Sequence, residues 1–151
     1  MTMIQALKQQ TLFSDIDAEG LEKLSKIVKK VALKKGESLF KEREDTRGVY
    51  LLHSGKVEIS RVTADGWRQT LTVVTPGDFF GELSILEKRH HVAGAVAVED
   101  SELFLIPREE FERLLVEDLK LACYILQKIA LEMSKKLRRT TDKFLSALIS
   151  Y

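Results

Sequence analysis

The 151-residue sequence has little of the chemistry that marks secreted or membrane proteins. Cys123 is its only cysteine, so an internal disulfide and every cysteine-based zinc knuckle are excluded. No apolar run approaches the ~18 residues that a membrane-spanning helix needs. The first ten residues lack the basic-then-apolar order of a secretory signal. These absences predict a cytoplasmic protein with no membrane segment.

Net charge and histidine are also scarce. The 24 Lys and Arg residues against 23 Asp and Glu give a formal charge of +1, which predicts no general attraction to nucleic acid or anionic lipid. The only histidines are His53, His90 and His91, and neighbouring side chains of a strand point to opposite faces, which disfavours a three-histidine metal site. The segment Gly55-Lys56-Val57 lacks the hydroxyl and the spacing of a nucleoside-triphosphate loop. We therefore expect no metal and no enzyme activity.

The chain divides into three parts by its apolar spacing, which together predict one domain. Residues 1–30 have apolar residues three and four apart and predict helices, with Asp17 as the cap of the second. Residues 31–107 instead show short apolar runs between turn residues, which is typical of antiparallel sheet. The expected strands are 31–33, 38–40, 49–52, 57–60, 70–74, 92–98 and 103–106. Because no crossover helices separate these strands, the sequence favours a mainly β jelly roll with flanking helices. The helical spacing of the apolar residues from Phe79 to Leu86 predicts one helix inserted between strands, over 81–86.

The third part, residues 108–151, predicts one helix over 108–116 and then a long helix that begins at Glu117 or Asp118. Its apolar residues alternate at spacings of four and three, which is the seam of a coiled coil and predicts a homodimer through this helix. The seam residues are Leu119, Cys123, Leu126, Ala130, Met133, Leu137, Thr140, Phe144, Ala147 and Tyr151. A second stripe of Ala122, Ile125 and Ile129 is expected to hold the helix against its own sheet domain.

The long helix also carries a basic cluster that needs its own interpretation. Its members are Lys135, Lys136, Arg138, Arg139 and Lys143. They could be a nucleic-acid footprint, but they wind around the seam instead of lining one face. We therefore expect this cluster to be a solvated surface of the helix.

The segment 79–86, FFGELSIL, is the part of the sequence that points most directly to a ligand. A glycine that opens a helix exposes unpaired N–H groups at the positive end of the helix dipole, and such a site suits phosphate. Glu82 in the first turn could accept a hydrogen bond from a sugar hydroxyl beside that phosphate. The alternative is a tight turn at Gly81 and an ordinary helix-start glutamate, and the spacing alone leaves both open.

The order of elements and three segments resemble the cyclic-nucleotide-binding domain family. The segments are Leu12-Phe13-Ser14, YLLHSGKVEI at 50–59 and PGDFFGEL at 76–83. The resemblance implies a β-roll with a phosphate-binding cassette, and cyclic AMP or cyclic GMP as the ligand. It further implies that main-chain groups around Gly81, Leu83 and Ser84 meet the cyclic phosphate, and that Glu82 meets the ribose 2′-hydroxyl. From the long helix, Thr140 and Thr141 are implied to contact the base.

The sequence departs from the family at the residue that matters most for phosphate. Counted from Gly81 without a gap, His91 stands at the position of the family's phosphate-binding arginine, and Val92 stands where a small hydroxylated residue often follows it. Histidine is largely neutral near pH 7, whereas arginine is always charged and binds phosphate through two parallel hydrogen bonds. Arg89 could supply the lost charge, protonated His91 could bind phosphate as the pH falls towards 6, or the pocket has been retuned or abandoned.

Two hypotheses of different classes follow. In the first, a dimeric sensor binds a nucleotide or another phosphate-bearing small molecule, with weak or absent cyclic AMP binding, and presents its carboxy-terminal helices to an unknown protein partner. In the second, the pocket is vestigial and the domain is a protein-interaction module. Bacterial members of the family append a helix-turn-helix domain to the long helix, and because this sequence ends at Tyr151 we expect no DNA-binding domain.

Overall fold

Eight short strands and five helices make up the part of the chain that the computed structural model describes, which is residues 1–45, 47–87, 91 and 93–149. Helices α1 (Met3–Lys8) and α2 (Ala18–Ile27) come first, joined through a 3-10 turn at Thr11–Phe13. The Asp17 side chain accepts a hydrogen bond of 2.8 Å from the Gly20 N–H, which confirms its prediction as the cap of α2. The first strand begins at Lys29, two residues before the expected Val31, because Lys29 pairs with Leu105.

The strands form two four-stranded sheets in which the paired neighbours are antiparallel. One sheet has the order β1-β8-β3-β6 and the other the order β2-β7-β4-β5. The strands are β1 (Lys29–Leu33), β2 (Ser38–Phe40), β3 (Gly48–Ser54), β4 (Val57–Val62), β5 (Arg68–Val74), β6 (Phe79–Phe80), β7 (Gly94–Ala97) and β8 (Ser101–Pro107). This architecture is the predicted β-roll with flanking helices.

Two apolar cores explain why β3 is buried along its length. Val49 and Leu51 point to the core under the helices, whereas Tyr50 and Leu52 point to the core between the two sheets. Strand β8 divides its side chains in the same way, with Phe104 on the helix side and Leu105 inside the roll. A strand that packs on both faces loses the polar alternation of a surface strand, which is why these two segments read as continuous apolar runs.

The segment expected to be helical from Phe79 onward is corrected by the structure. Phe79 and Phe80 form the short strand β6, which pairs Phe80 with Tyr50 and Phe79 with Leu51. Helix α3 then covers Glu82–Glu87 in place of the expected 81–86, because Gly81 has a positive φ of 82° and lies outside the helix. The strand expected over 92–98 is β7, Gly94–Ala97, in the described part of the chain.

Helices α4 (Arg108–Glu117) and α5 (Leu119–Ile149) complete the fold. Helix α4 ends one residue after the expected 116, and α5 begins at Leu119, directly after the expected Glu117 or Asp118. The Asp118 carboxylate accepts hydrogen bonds from the Leu121 N–H at 3.2 Å and from Lys23 at 2.6 Å. The stripe of Ala122, Ile125 and Ile129 is buried in the helix-side core, which confirms that it holds α5 against the roll. No helix in the described ranges is both long enough and apolar enough to cross a membrane.

The carboxy-terminal half of α5 lies beyond the part of the helix that is packed in the core, and we call it the projecting half. Every described residue of α5 after Met133 is exposed, whereas the amino-terminal half is anchored in the core. Leu137 and Phe144 remain 68% and 62% exposed on the single chain. The helix has 31 residues and is therefore about 46 Å long, so the projecting half extends well beyond the contacts that the roll provides.

Candidate ligand-binding site

Gly81 forms a tight turn between β6 and α3 against the start of β3. Its φ of 82° lies in the left-handed region that favours glycine. A Cβ atom at this position would lie 3.0 Å from the Gly48 carbonyl oxygen and 3.5 Å from Cδ2 of Tyr50. The main chain at Gly81 therefore approaches β3 too closely for any other residue to fit without a shift. Gly81 therefore forms a tight turn, and this turn places Glu82 as the first residue of α3.

The Glu82 side chain connects this turn to α5. Glu82 is 8% exposed, and its Oε1 lies 3.8 Å from Nζ of Lys136 on the long helix. The same Nζ lies 5.4 Å from the centroid of the Phe79 ring, a cation–π contact. Lys136 is exposed, as expected for a solvated face, and its ammonium group also lies near Glu82 and Phe79 on the two sides of Gly81. A change at Glu82 is therefore transmitted directly to α5.

His91 is buried among aromatic rings. Its imidazole stacks on Phe40, with 3.6 Å between ring centroids and 7° between the planes, and the residue is 8% exposed. Phe40 also contacts Tyr50 and Phe80, whose rings are themselves stacked at 5.5 Å. We call Phe40, Tyr50, Phe80 and His91 the aromatic cluster. It occupies the inside of the roll at the end where the cassette lies.

The imidazole of His91 keeps one unused hydrogen-bonding atom. The main chain of the residue is held, since its N–H donates to the Glu44 carbonyl at 3.0 Å and its carbonyl accepts from the Arg43 N–H at 2.7 Å. Its Nε2 atom is buried and has no hydrogen-bond partner in the described part of the chain. Burial lowers the pKa of His91, and the nearby Glu44 carboxylate offsets only part of that effect. The neutral imidazole is thereby favoured, which opposes phosphate binding by a protonated His91 near pH 6.

A groove of about 470 Å³ lies between the roll and α5. We define it by Leu71–Val74 of β5, Phe79–Phe80 of β6, and a row of polar residues on α5. The row consists of Glu132, Lys136, Arg139, Thr140 and Lys143. Thr140 thus faces the space where a base was expected, whereas Thr141 is exposed and is not among the described lining residues. The volume lies within the range of about 300–1,000 Å³ usual for small-molecule sites.

The family model for the cyclic nucleotide-binding domain matches residues 30–118, more than half of the chain. The chain belongs to this family. The cyclic AMP receptor protein of Thermus thermophilus is 32% identical over 105 residues, which cover 70% of this chain and 49% of that protein. The crystal structure of the Thermus thermophilus catabolite activator protein superposes with a TM-score of 0.77 at 29% identity, covering 89% of this chain and 62% of that one.

A third relative comes from outside the bacterial regulators. The regulatory domain of Toxoplasma gondii protein kinase A, solved with cyclic AMP, has a TM-score of 0.66 at 27% identity and covers 74% of this chain and 42% of that one. The chain thus spans about half the length of these relatives. Most matching curated proteins are named as receptors or regulators, and one is a lysophospholipase that contains the matching region as 9% of its length.

Within this cyclic-nucleotide-binding domain, the predicted site residues are only partly brought together. Glu82 is linked through Lys136 to the groove that Thr140 lines, and Gly81 and His91 contact neighbouring members of the aromatic cluster. Arg89 and Val92 lie outside the described residues, and Leu83 and Ser84 are described only as main chain of α3. Among the described residues, no three His, Cys, Asp or Glu side chains are placed to hold a metal ion.

Sequence reasoning missed Lys136 and the aromatic cluster as parts of this site. Lys136 did carry a usable signal, because it lies four residues before Thr140 and so shares its helix face. Phe40 gave no such signal, since it stacks on His91, a residue that is distant from it in the sequence. The main chains of Arg43 and His91 are hydrogen-bonded to each other, and Arg43 adopts a positive φ of 69°.

The burial of His91 leads to a testable effect of pH on stability. The pKa of His91 in the folded protein lies below the value of about 6.5 in the unfolded chain. Between these two values the unfolded chain binds more protons, so stability falls as the pH drops below about 6.5. We expect the wild type to lose up to about 1.4 kcal/mol per pH unit more than His91→Phe does. Urea unfolding between pH 5 and 8 measures the difference.

The control for this measurement is His53, which is only half-buried. His53→Gln should preserve the steep acid limb of the wild type, because the buried imidazole at position 91 is still present. Parallel stability curves for the wild type and His91→Phe would show that the His91 environment is not coupled to folding in this way.

Proposed function

We propose that this domain is a regulatory sensor that binds a phosphate-bearing small molecule, in the first place a nucleotide, between the cassette and α5. It acts by binding and not by catalysis, in the cytoplasm, and it signals through the position of α5 in a homodimer. Gly81, Glu82, Leu83 and Ser84 supply the cassette side, Arg89, His91 and Val92 are further candidate ligand residues, and Thr140 and Thr141 supply the helix side. Its relatives in the family support this assignment at the level of a nucleotide-binding regulatory domain.

The observation that carries the proposal is the contact between Glu82 and Lys136. Glu82 is the residue implied to receive a ribose hydroxyl, and its carboxylate is held 3.8 Å from an ammonium group of α5. A ligand hydroxyl that donates to this carboxylate competes directly with Lys136. Binding therefore alters the force that holds the projecting half of α5 near the roll, and this supplies a physical route from ligand to output.

Cyclic AMP and cyclic GMP are expected to bind weakly. A neutral His91 replaces the arginine of the family, and a charge-assisted hydrogen bond contributes on the order of 1.5–3 kcal/mol, so its loss weakens binding roughly ten- to a hundred-fold. Calorimetry at pH 8 tests this, and a submicromolar dissociation constant for either nucleotide would overturn it. Whether cyclic AMP binds weakly or tightly, its 2′-deoxy analogue should bind roughly tenfold more weakly if Glu82 accepts a hydrogen bond from the ribose 2′-hydroxyl.

A second candidate function is a ligand-free interaction module. The observation that favours it is the aromatic cluster, which packs the inside of the roll beside the cassette with rings only 3.6 Å apart at His91 and Phe40. In this reading the exposed apolar residues of α5 bind a protein partner, and the cassette merely shapes the fold.

A thermal-shift screen with cyclic mononucleotides and cyclic dinucleotides distinguishes the two functions. A specific ligand at a hundred times its dissociation constant stabilises the folded protein by about 2.7 kcal/mol. A stabilisation that is lost in Glu82→Gln supports the sensor. If no compound of the panel shifts the unfolding transition at millimolar concentration, the interaction module is the better description.

A further inference from the structure

The α5 side of the groove carries a stripe of positive charge. Lys136, Arg139 and Lys143 all line the groove, at spacings of three and four residues that place them on one helix face. This stripe lies beside the apolar seam and not on it, since the seam residues in this stretch are Leu137, Thr140 and Phe144. The cassette side, in contrast, has a neutral histidine at the family's arginine position.

Two of these cations, Arg139 and Lys143, form no ion pair in the described part of the chain, although the carboxylates of Asp78 and Glu132 line the same groove. Lys136 is near Glu82, and Glu132, also in the groove, is paired with Lys135 at 3.2 Å. Arg139 and Lys143 are one helical turn apart. Like charges at this spacing destabilise a helix. An anion between the two side chains would remove this repulsion and gain charge-assisted hydrogen bonds.

The opposite wall of the groove is mixed, with exposed apolar side chains beside polar ones. Leu71 and Val73 of β5 are 54% and 44% exposed, and Phe79 and Phe80 lie beneath them and are 4% and 6% exposed. The polar residues of this wall are Thr11, Thr72 and Asp78. Exposed apolar side chains across from unpaired cations suit a ligand with an apolar, planar body and a strongly anionic end. Free inorganic phosphate would use only one wall, whereas a nucleotide would use both.

We propose that the anionic group of the ligand is bound by Arg139 and Lys143, with Lys136 beside them, and that the groove therefore selects nucleotides with more than one phosphate charge. This inference deepens the proposed function by naming its ligand class. The ligand would also bind in the opposite orientation to the one that the family resemblance implies. Its phosphate charge would lie against α5, and its apolar body would lie against β5 and β6. The missing arginine of the cassette is then compensated from the other side of the groove.

The test is a calorimetric series with adenosine, cyclic AMP, AMP, ADP and inorganic pyrophosphate, without divalent metal. We expect affinity to rise in the order adenosine, cyclic AMP, AMP, ADP, and to fall as salt is added. Arg139→Gln/Lys143→Gln should weaken ADP binding roughly tenfold or more. The matched control is Lys120→Gln/Arg138→Gln, which removes the same charge from exposed positions of α5 outside the groove and should leave ADP affinity close to that of the wild type.

The outcomes separate this inference from the proposed function. If cyclic AMP binds at least as tightly as ADP, or if both double variants lose equal affinity, the helix-side anion site is overturned while the sensor function stands. If only pyrophosphate binds, and only the groove variant loses it, the anion site is supported and the nucleotide function is overturned. If none of the five compounds binds the wild type, both are overturned.

Discussion

Leu137→Asp is expected to abolish the homodimer that we propose to form through the apolar seam of α5. Leu137 is 68% exposed on the single chain, so an aspartate there removes no packing within the protomer. In a dimer through the apolar seam, the same side chain faces its copy, and the substitution would bury two unpaired carboxylates at one interface. Burying an ionised group without a partner costs several kcal/mol, so the dimerisation constant should weaken by at least roughly a hundredfold. Sedimentation velocity across the micromolar range measures this directly.

The matched control is Leu131→Asp on the same helix. Leu131 is 44% exposed and lies off the seam, so the same substitution there should leave the dimer intact. Helix α5 should also lose helicity beyond Met133 in the monomer, since an isolated helical segment of this length is marginal in water. A wild type that is already monomeric at high micromolar concentration, or equal dissociation by both variants, would refute the seam.

Most of the fold could be predicted from the sequence because its signals are local. The turn residues at Ser54-Gly55 and Asp65-Gly66 separate strands that the structure contains, and Asp17 caps α2 through its own side chain. Strand β6 could not be predicted in this way. It has two residues, too few to show a period, and it exists only because Phe79 and Phe80 pair with a strand that is distant in the sequence.

The candidate site was less predictable than the fold for the same physical reason. The glycine requirement at position 81 follows from a local turn, and the sequence indicated it. The partner of Glu82 could not be predicted from local sequence. Lys136 contacts it from α5, and the position of α5 is set by the burial of Ile125 and Ile129. The environment of His91 depends in turn on Phe40 of a separate strand. Side-chain partners across elements are set by packing, which composition and spacing do not encode.

Gly48→Ala is expected to be the most destabilising single substitution among the glycines of the roll. A Cβ atom at Gly48 would lie 1.9 Å from the Ile106 carbonyl oxygen and 2.9 Å from the Ile106 carbonyl carbon, both main-chain atoms of the adjacent strand. Neither atom can move without breaking the pairing of β3 with β8, and the φ of 153° adds strain for any residue with a side chain. We expect a loss of about 4 kcal/mol or more in the free energy of unfolding, measured by urea denaturation.

Gly66→Ala supplies the control that separates the steric conflict from backbone strain. Gly66 has a φ of 83°, but an added Cβ would have no neighbour within 4 Å. Only the cost of the left-handed conformation remains there, about 1–2 kcal/mol. Because the Gly48 carbonyl oxygen also lies at the closest approach to Gly81, the Gly48 variant should disturb the cassette turn along with the sheet. Equal destabilisation by Gly48→Ala and Gly66→Ala would show that the close approach of β3 and β8 does not prevent a side chain at position 48. It would also show that the neighbouring turn at Gly81 can adjust to that side chain.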